Sequence, residues 1–121
     1  MSTWTPDDLA ALDRAGEIRV AGRRDDGSLR TPVIIWHAVV DGALYARSVR
    51  GPEGGWYRGV TRNSEGTVSW NGQTRDVTYT RDDAHERELD DAYFAKYGHG
   101  SATRSLMSPA VKATTLRIDP K

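Results

Sequence analysis

Read for the spacing of apolar and polar positions, the chain has a short amphipathic start, a β-rich centre and a helical return. Ile18, Val20 and Gly22 alternate with Arg19, Ala21 and Arg23, the two-residue period of a half-exposed strand. The run Val33-Ile34-Ile35-Trp36-His37-Ala38-Val39-Val40 is apolar on both faces, which predicts a central strand covered on both sides. Asp41-Gly42 is a strong two-residue hairpin turn, returning through Ala43 to Val49. A second hairpin is equally clear, with Thr67 to Trp70 leading through Asn71-Gly72 into Thr74 to Thr80. Ala113 to Ile118 is β-branched and alternating, and predicts a last strand that returns to close the sheet.

Helical signals flank this centre. Thr5 can cap a helix, Pro6 suits its first position, and Trp4 with Leu9 stands at staple spacing. The pattern predicts a helix from Pro6 to Ala15, stopped by a left-handed Gly16. From Asp82 the period becomes helical: Asp83 with Glu86 reads as a capping box, Leu89, Ala92, Tyr93 and Tyr97 share a face, and Gly98 ends the run. His99 to Pro109 is small, polar and without a period, and predicts an exposed loop. With no repeat, linker or low-complexity tract, residues 1–121 read as one α+β domain, mainly β. The predicted form is a small barrel of about six strands. Its two-sided apolar strand needs an outer cover, supplied by the helices or by a second subunit.

Composition removes several functions. The chain of 121 residues is long enough to bury one core, and 37% hydrophobic with 28% charged residues is ordinary for a globular fold. There is no cysteine, so disulfides, a thiolate nucleophile and a cysteine-based zinc site are excluded. The 17 basic and 17 acidic residues cancel, leaving no global field to recruit nucleic acid or an anionic membrane. No apolar stretch approaches a bilayer span. Met1 to Arg14 carries Asp7, Asp8 and Asp13 in place of a basic, apolar leader, so the expected compartment is the cytoplasm.

The candidate chemistry lies between the hairpins. Arg47 to Gly59 holds three arginines, Ser48, four glycines, Trp56 and Tyr57 within thirteen residues. Arginine matches phosphate with a planar fork, and glycines let backbone amides approach an anion. A helix starting near Gly54 would add its positive end. Two flat aromatic faces suit a ring system, so the segment fits a phosphorylated aromatic small molecule. It fits a structural turn with solvated arginines as well. The glycine spacing matches neither a phosphate-binding nucleotide loop nor a dinucleotide fingerprint.

The runs Arg30 to Trp36, Asp41 to Ser48 and Gly55 to Arg58 resemble the FMN-binding split β-barrel superfamily, and within it the deazaflavin-dependent nitroreductase branch. Tyr45 to Gly51, Trp56 to Arg58, Ala95 to Gly98 and Ala113 to Arg117 also resemble the pattern of a group of short, functionally unassigned split barrels. The resemblance implies a six-stranded split antiparallel β-barrel with an N-terminal helix, a short helix after the central hairpin and a helix near the C-terminus. It further implies a homodimer that holds FMN or a deazaflavin in a groove and acts as an oxidoreductase on a small organic molecule. Carried over by position, it implies Arg47, Ser48, Arg50 and Arg58 at the phosphate, with Gly51 and Arg30 as further cofactor contacts. Trp56 and Tyr57 would border the ring, with His37 or Tyr45 as proton donor. Two departures stand out. Arg58-Gly59-Val60 replaces an Asn-Leu pair of the nitroreductase branch, and Arg50 stands in for a phosphate-binding lysine. They favour an alternative: a cofactor-free barrel that binds a small ligand or catalyses a non-redox step.

The remaining candidates are weaker. His37 reads more readily as a core or interface histidine than as a proton donor. The three histidines, at 37, 85 and 99, lack metal-ligand spacing, so no metal site is expected. The acidic run from Asp82 to Asp91 reads as a solvated helix face with charges favourable at its start.

Overall fold

Thr5 accepts the Asp8 amide at 3.1 Å through its hydroxyl and Pro6 takes the first position, so helix α1 spans Pro6–Arg14. It ends at Ala15 in an extended conformation rather than at a left-handed Gly16. The computed structural model describes residues 3–121. Seven strands follow the order β2-β1-β5-β6-β7-β4-β3, all antiparallel. They are β1 (Ile18–Gly22), β2 (Val33–Ile35), β3 (His37–Val40), β4 (Ala43–Ala46), β5 (Glu65–Trp70), β6 (Gln73–Arg81) and β7 (Leu116–Pro120). Both hairpin turns form where the sequence puts them. Asp41-Gly42 and Asn71-Gly72 have positive φ at both residues, the twist that a tight antiparallel hairpin requires.

The run Val33 to Val40 departs from expectation in an informative way. It breaks at Trp36 into β2, which pairs with β1, and β3, which pairs with β4, so its two halves stand at opposite ends of the strand order. The segment is therefore not a central strand. It is the bent corner that nearly closes the sheet into a split barrel, and it accounts for seven strands where six were expected. Only its second half is covered on both sides: His37 and Ala38 are buried, while Val33 and Ile34 are 40% and 50% exposed.

Two cores result. The barrel interior is filled by Leu12, Ile18, Val20, Leu44, Val68, Val77, Leu116 and Ile118, with Trp4 donating its indole N–H to the Ile118 carbonyl at 2.7 Å. Outside the barrel, Ala38 and Tyr45 meet Leu89 and Tyr93 of α3 (Glu86–Tyr97), with Leu106 and Val111 beside them. Strand β4 thus alternates between the two cores, Leu44 and Ala46 inward and Tyr45 outward. Helix α3 starts later than expected, because Asp82 rather than Asp83 binds the loop, at the Ala84 amide, and no side chain caps the helix. The segment expected to be a loop is mostly helical: α4 (Ser101–Arg104), a 3₁₀ turn at Ser105–Met107 and α5 (Pro109–Lys112). Ser108 caps α5 by accepting the Val111 amide, a start signal present in the Ser108-Pro109 pair.

Helix α2 (Gly55–Asn63) lies directly on β1, and glycine is the reason it can. A Cβ on Gly22 would collide with the backbone of Gly59 on α2. This close approach seats the middle of α2 on β1.

Candidate functional site

A cleft of about 550 Å³ opens between β2 and the loop that joins β4 to α2. That is the size of a small-molecule or cofactor site. Val33, Ile34, Ile35 and Trp36 form one wall, and Arg47, Ser48, Val49, Arg50, Gly54, Gly55 and Trp56 face them. Ala102, Ser105 and Leu106 close a third side. The wall is mostly apolar; charge enters through Glu17 and Arg50, and through Arg47, whose guanidinium is paired with Glu86 and Asp90.

The loop is held by its buried polar groups. Arg47 has a fully buried side chain, and each of its three nitrogens finds protein acceptors, with Met107 Sδ also 3.5 Å from Nη1. Its Nε donates to Thr115 Oγ1 at 3.2 Å; Nη1 donates to Asp90 Oδ1 at 2.8 Å and the Leu106 carbonyl at 3.2 Å; Nη2 donates to the Glu86 carbonyl at 3.2 Å and carboxylate at 3.3 Å. Burial pushes the Asp90 carboxyl up, but hydrogen bonds from Lys112 and Arg47 outweigh it and hold Asp90 below the usual carboxylate range. Ser48 donates its hydroxyl to the Gly51 carbonyl at 2.8 Å, and its amide donates to Thr114. Gly51 sits at φ +71°, and Gly54 leaves room for the Ser48 hydroxyl. Arg47, Ser48 and Gly51 therefore shape the loop; Arg47 and Ser48 border the cleft, but the arginine fork and the serine hydroxyl are spent on protein acceptors.

Arg50 is different. It is exposed, lines the cleft, and makes no side-chain hydrogen bond or ion pair among the described residues. Beside it the N-terminus of α2 has Gly54 as N-cap, with no side-chain cap. Trp56 stands half-buried on the same rim, edge-on to Tyr57 with ring centroids 6.2 Å apart.

The other residues singled out from the sequence lie elsewhere. Tyr57 is buried in the barrel core, and Arg58 is exposed on α2 away from the cleft lining. Arg30 lays its side chain against Gly59, and its Nε is buried without a hydrogen-bond partner. His37 is fully buried, with Nε2 2.6 Å from the Leu12 carbonyl, and burial lowers it to about 4. The bend at Trp36 carries His37 under α1 and α3. Tyr45 packs edge-on to His85 at 5.9 Å, and burial, then the nearby Asp82, raises its hydroxyl above the ordinary value. Neither proton-donor candidate lines the cleft, because the bend and the strand alternation turn both toward the helices. Conversely, the β2 wall and the Ala102 to Leu106 side were not anticipated as site elements. Leu106 and the Ser108 cap were the available signals for the latter.

Among the described residues no three or more His, Asp or Glu side chains are grouped to hold a metal ion, and no helix is long and apolar enough to cross a membrane.

The bent strand, the two hairpins and the cleft at their open side define a split β-barrel. The chain belongs to the family described as "Uncharacterized protein conserved in bacteria (DUF2255)", whose model matches residues 8–118. No curated protein matches it. Among solved structures it is similar to the heme storage protein HutZ of Vibrio cholerae, with a TM-score of 0.70 and 10% identity over 100% of this chain and 92% of that one. A FAD-binding protein from Mesorhizobium loti is similar at a TM-score of 0.58 and 20% identity, covering 98% of this chain and 91% of the other. An F420 reductase matches at a TM-score of 0.52 and 19% identity, covering 93% and 91%. These likenesses are of fold.

Proposed function

We propose that the cleft binds a flavin-type cofactor, FMN or a deazaflavin, and that the chain uses it in oxidoreduction of a small organic molecule. The observation that carries this reading is the pairing of an apolar wall from Val33 to Trp36 with Arg50 and the uncapped start of α2. A planar ring fits the wall and Trp56, and a phosphate fits Arg50 and the first amides of α2. Similarity of fold to proteins described as FAD-binding and as an F420 reductase supports the same class. When bound, such a cofactor would supply hydride transfer; the protein orients it and excludes water. Arg47 and Ser48 act one layer back, by fixing the loop that carries Arg50.

The working form in this reading is a homodimer. Val33, Ile34 and Val49 expose 40%, 50% and 56% of their surface along the cleft mouth, and a second copy would cover them. Sedimentation of the wild type and Ile34→Asp checks this. The variant is expected to shift toward monomer, and a wild type monomeric at tens of micromolar overturns it.

The cofactor is tested by titrating purified protein with FMN, FAD, a deazaflavin and haem, followed by absorbance and fluorescence. FMN or deazaflavin binding is expected, weakened in Arg50→Ala by about 1.5–3 kcal/mol, or roughly 10- to 150-fold. Absence of binding to both at high micromolar levels ends this reading. The inward commitment of Arg47 and Ser48 favours a second one: a cofactor-free barrel taking a small anionic ligand in the same cleft. Phosphate or a simple carboxylate would then bind with the same dependence on Arg50 while flavins do not.

A further inference from the structure

A second hollow lies on the outer face of the sheet and adjoins the cleft at Glu17 and Ile34, which line both. Its volume is about 440 Å³, and among the described residues no helical one lines it. Strand register builds its floor. Arg19 of β1 stands opposite Ile34 of β2 and Ser69 of β5, and Ser69 stands opposite Thr74 of β6. These four side chains form one row across four strands, spaced about 4.8 Å apart, on the face away from Ile18, Val20 and Val68 in the barrel interior. The tight turn at Asn71-Gly72 closes the end of the row away from the cleft.

The row offers more donors than acceptors. Arg19 is exposed and makes no side-chain hydrogen bond or ion pair among the described residues. Ser69 and Thr74 share one hydrogen between their hydroxyls at 3.1 Å, which leaves the other hydroxyl hydrogen free. Gln73 has its amide oxygen engaged by Arg75 at 3.1 Å, so its NH2 is the group it can still offer. A free guanidinium fork among surplus donors is the complement of a carboxylate. Among the described lining residues the one carboxylate is Glu17, at the junction with the cleft and two residues, about 6.7 Å, along the chain from Arg19. One cation with a carboxylate so near matches a single negative charge better than a phosphate dianion. Glu17 also repels an acid group from the junction. A bound acid is thereby turned with its carboxylate on Arg19 and its apolar body toward Ile34, which is 50% exposed.

We infer that this hollow is the substrate subsite of the cleft, and that it takes the carboxylate of a small organic acid whose apolar body reaches past Ile34 to the wall of Val33 to Trp36. That the acid is a substrate rests on the flavin-type reading of the cleft; that it binds on Arg19 does not. The two arginines differ in the way this role requires. The donors of Arg47 are spent on the protein, whereas those of Arg19 are open to a ligand.

The probe is hydrocinnamate, with hydrocinnamide as its neutral match. Each is titrated to about 20 mM into the full chain, without and with FMN, and followed by the backbone amide NMR signals of Ser69, Gly72 and Thr74. Saturable shifts are expected with the acid, and the amide should bind roughly tenfold or more weakly because it lacks the charge that Arg19 meets. Arg19→Gln should lose acid affinity by a similar factor, Glu17→Gln should bind the acid no more weakly than the wild type, and Arg50→Ala should match the wild type. Acid and FMN should bind together. Absence of saturable shifts, equal binding of acid and amide, or indifference to Arg19→Gln overturns the inference. Loss of the acid in Arg50→Ala, or its displacement by FMN, overturns it as well by putting the acid in the cleft itself. Acid held on Arg19 in a chain that binds no flavin supports the subsite and ends only the flavin reading.

Discussion

Replacing Arg47 with methionine separates two roles for the most prominent residue of the site loop. If its fork gripped a phosphate, Arg47→Met would cost ligand affinity and little stability. The structure assigns it the reverse role: a buried guanidinium ties β4 to α3, to the 3₁₀ turn and to the approach of β7 through Asp90, Glu86, Leu106 and Thr115. Breaking a buried pair by removing one partner costs about 3–5 kcal/mol. Here the lower end applies, about 3 kcal/mol, because Asp90 keeps Lys112 and Glu86 keeps the Thr115 hydroxyl. Both carboxylates also retain partial exposure, 21% and 25% of their side chains. For a domain of this size the loss lowers Tm by about 10 °C. Urea and thermal unfolding of the wild type, Arg47→Met and Arg47→Lys measure it, with lysine restoring only part of the loss because it has no fork. An Arg47→Met protein with wild-type stability and lost ligand binding would refute the assignment and make Arg47 a ligand contact.

Two further outcomes follow from the same geometry. Burial lowers His37 to about 4 in the folded state while the unfolded chain titrates near 6.5, so the unfolded state takes up a proton first as pH falls. Stability should therefore drop between pH 6.5 and 4, by about 3 kcal/mol at about 1.36 kcal/mol per pH unit. Urea midpoints from pH 6.5 to 4.5 should fall more steeply in the wild type than in His37→Leu, and equal slopes would dismiss the effect. At Gly22 a methyl group would strike the Gly59 backbone, so Gly22→Ala should cost about 1–3 kcal/mol. Gly55→Ala, with open space around its Cβ, should leave the midpoint unchanged or slightly raised.

The local elements were legible because their causes are local. Thr5-Pro6 starts a helix through one hydroxyl and one missing N–H, and Asp41-Gly42 and Asn71-Gly72 make hairpins through positive φ at two adjacent residues. A split barrel with a flavin-type resemblance was likewise readable from the Arg30 to Trp36 and Trp56 to Arg58 runs, and the described fold is a split barrel. The helical character of Ser101 to Lys112 was missed because its short turns carry too few apolar positions to show a period.

The sequence by itself determined the hairpins, the flanking helices and the concentration of arginine, glycine and aromatic residues between Arg47 and Gly59. What only the tertiary structure decided is where each of those side chains is spent. Partners far along the chain, Asp90 and Thr115 among them, claim the Arg47 donors, and the bend at Trp36 turns His37 toward α1 instead of the cleft. Such claims depend on which surfaces the folded chain brings within hydrogen-bond reach, and residue type and spacing along one segment do not contain that information.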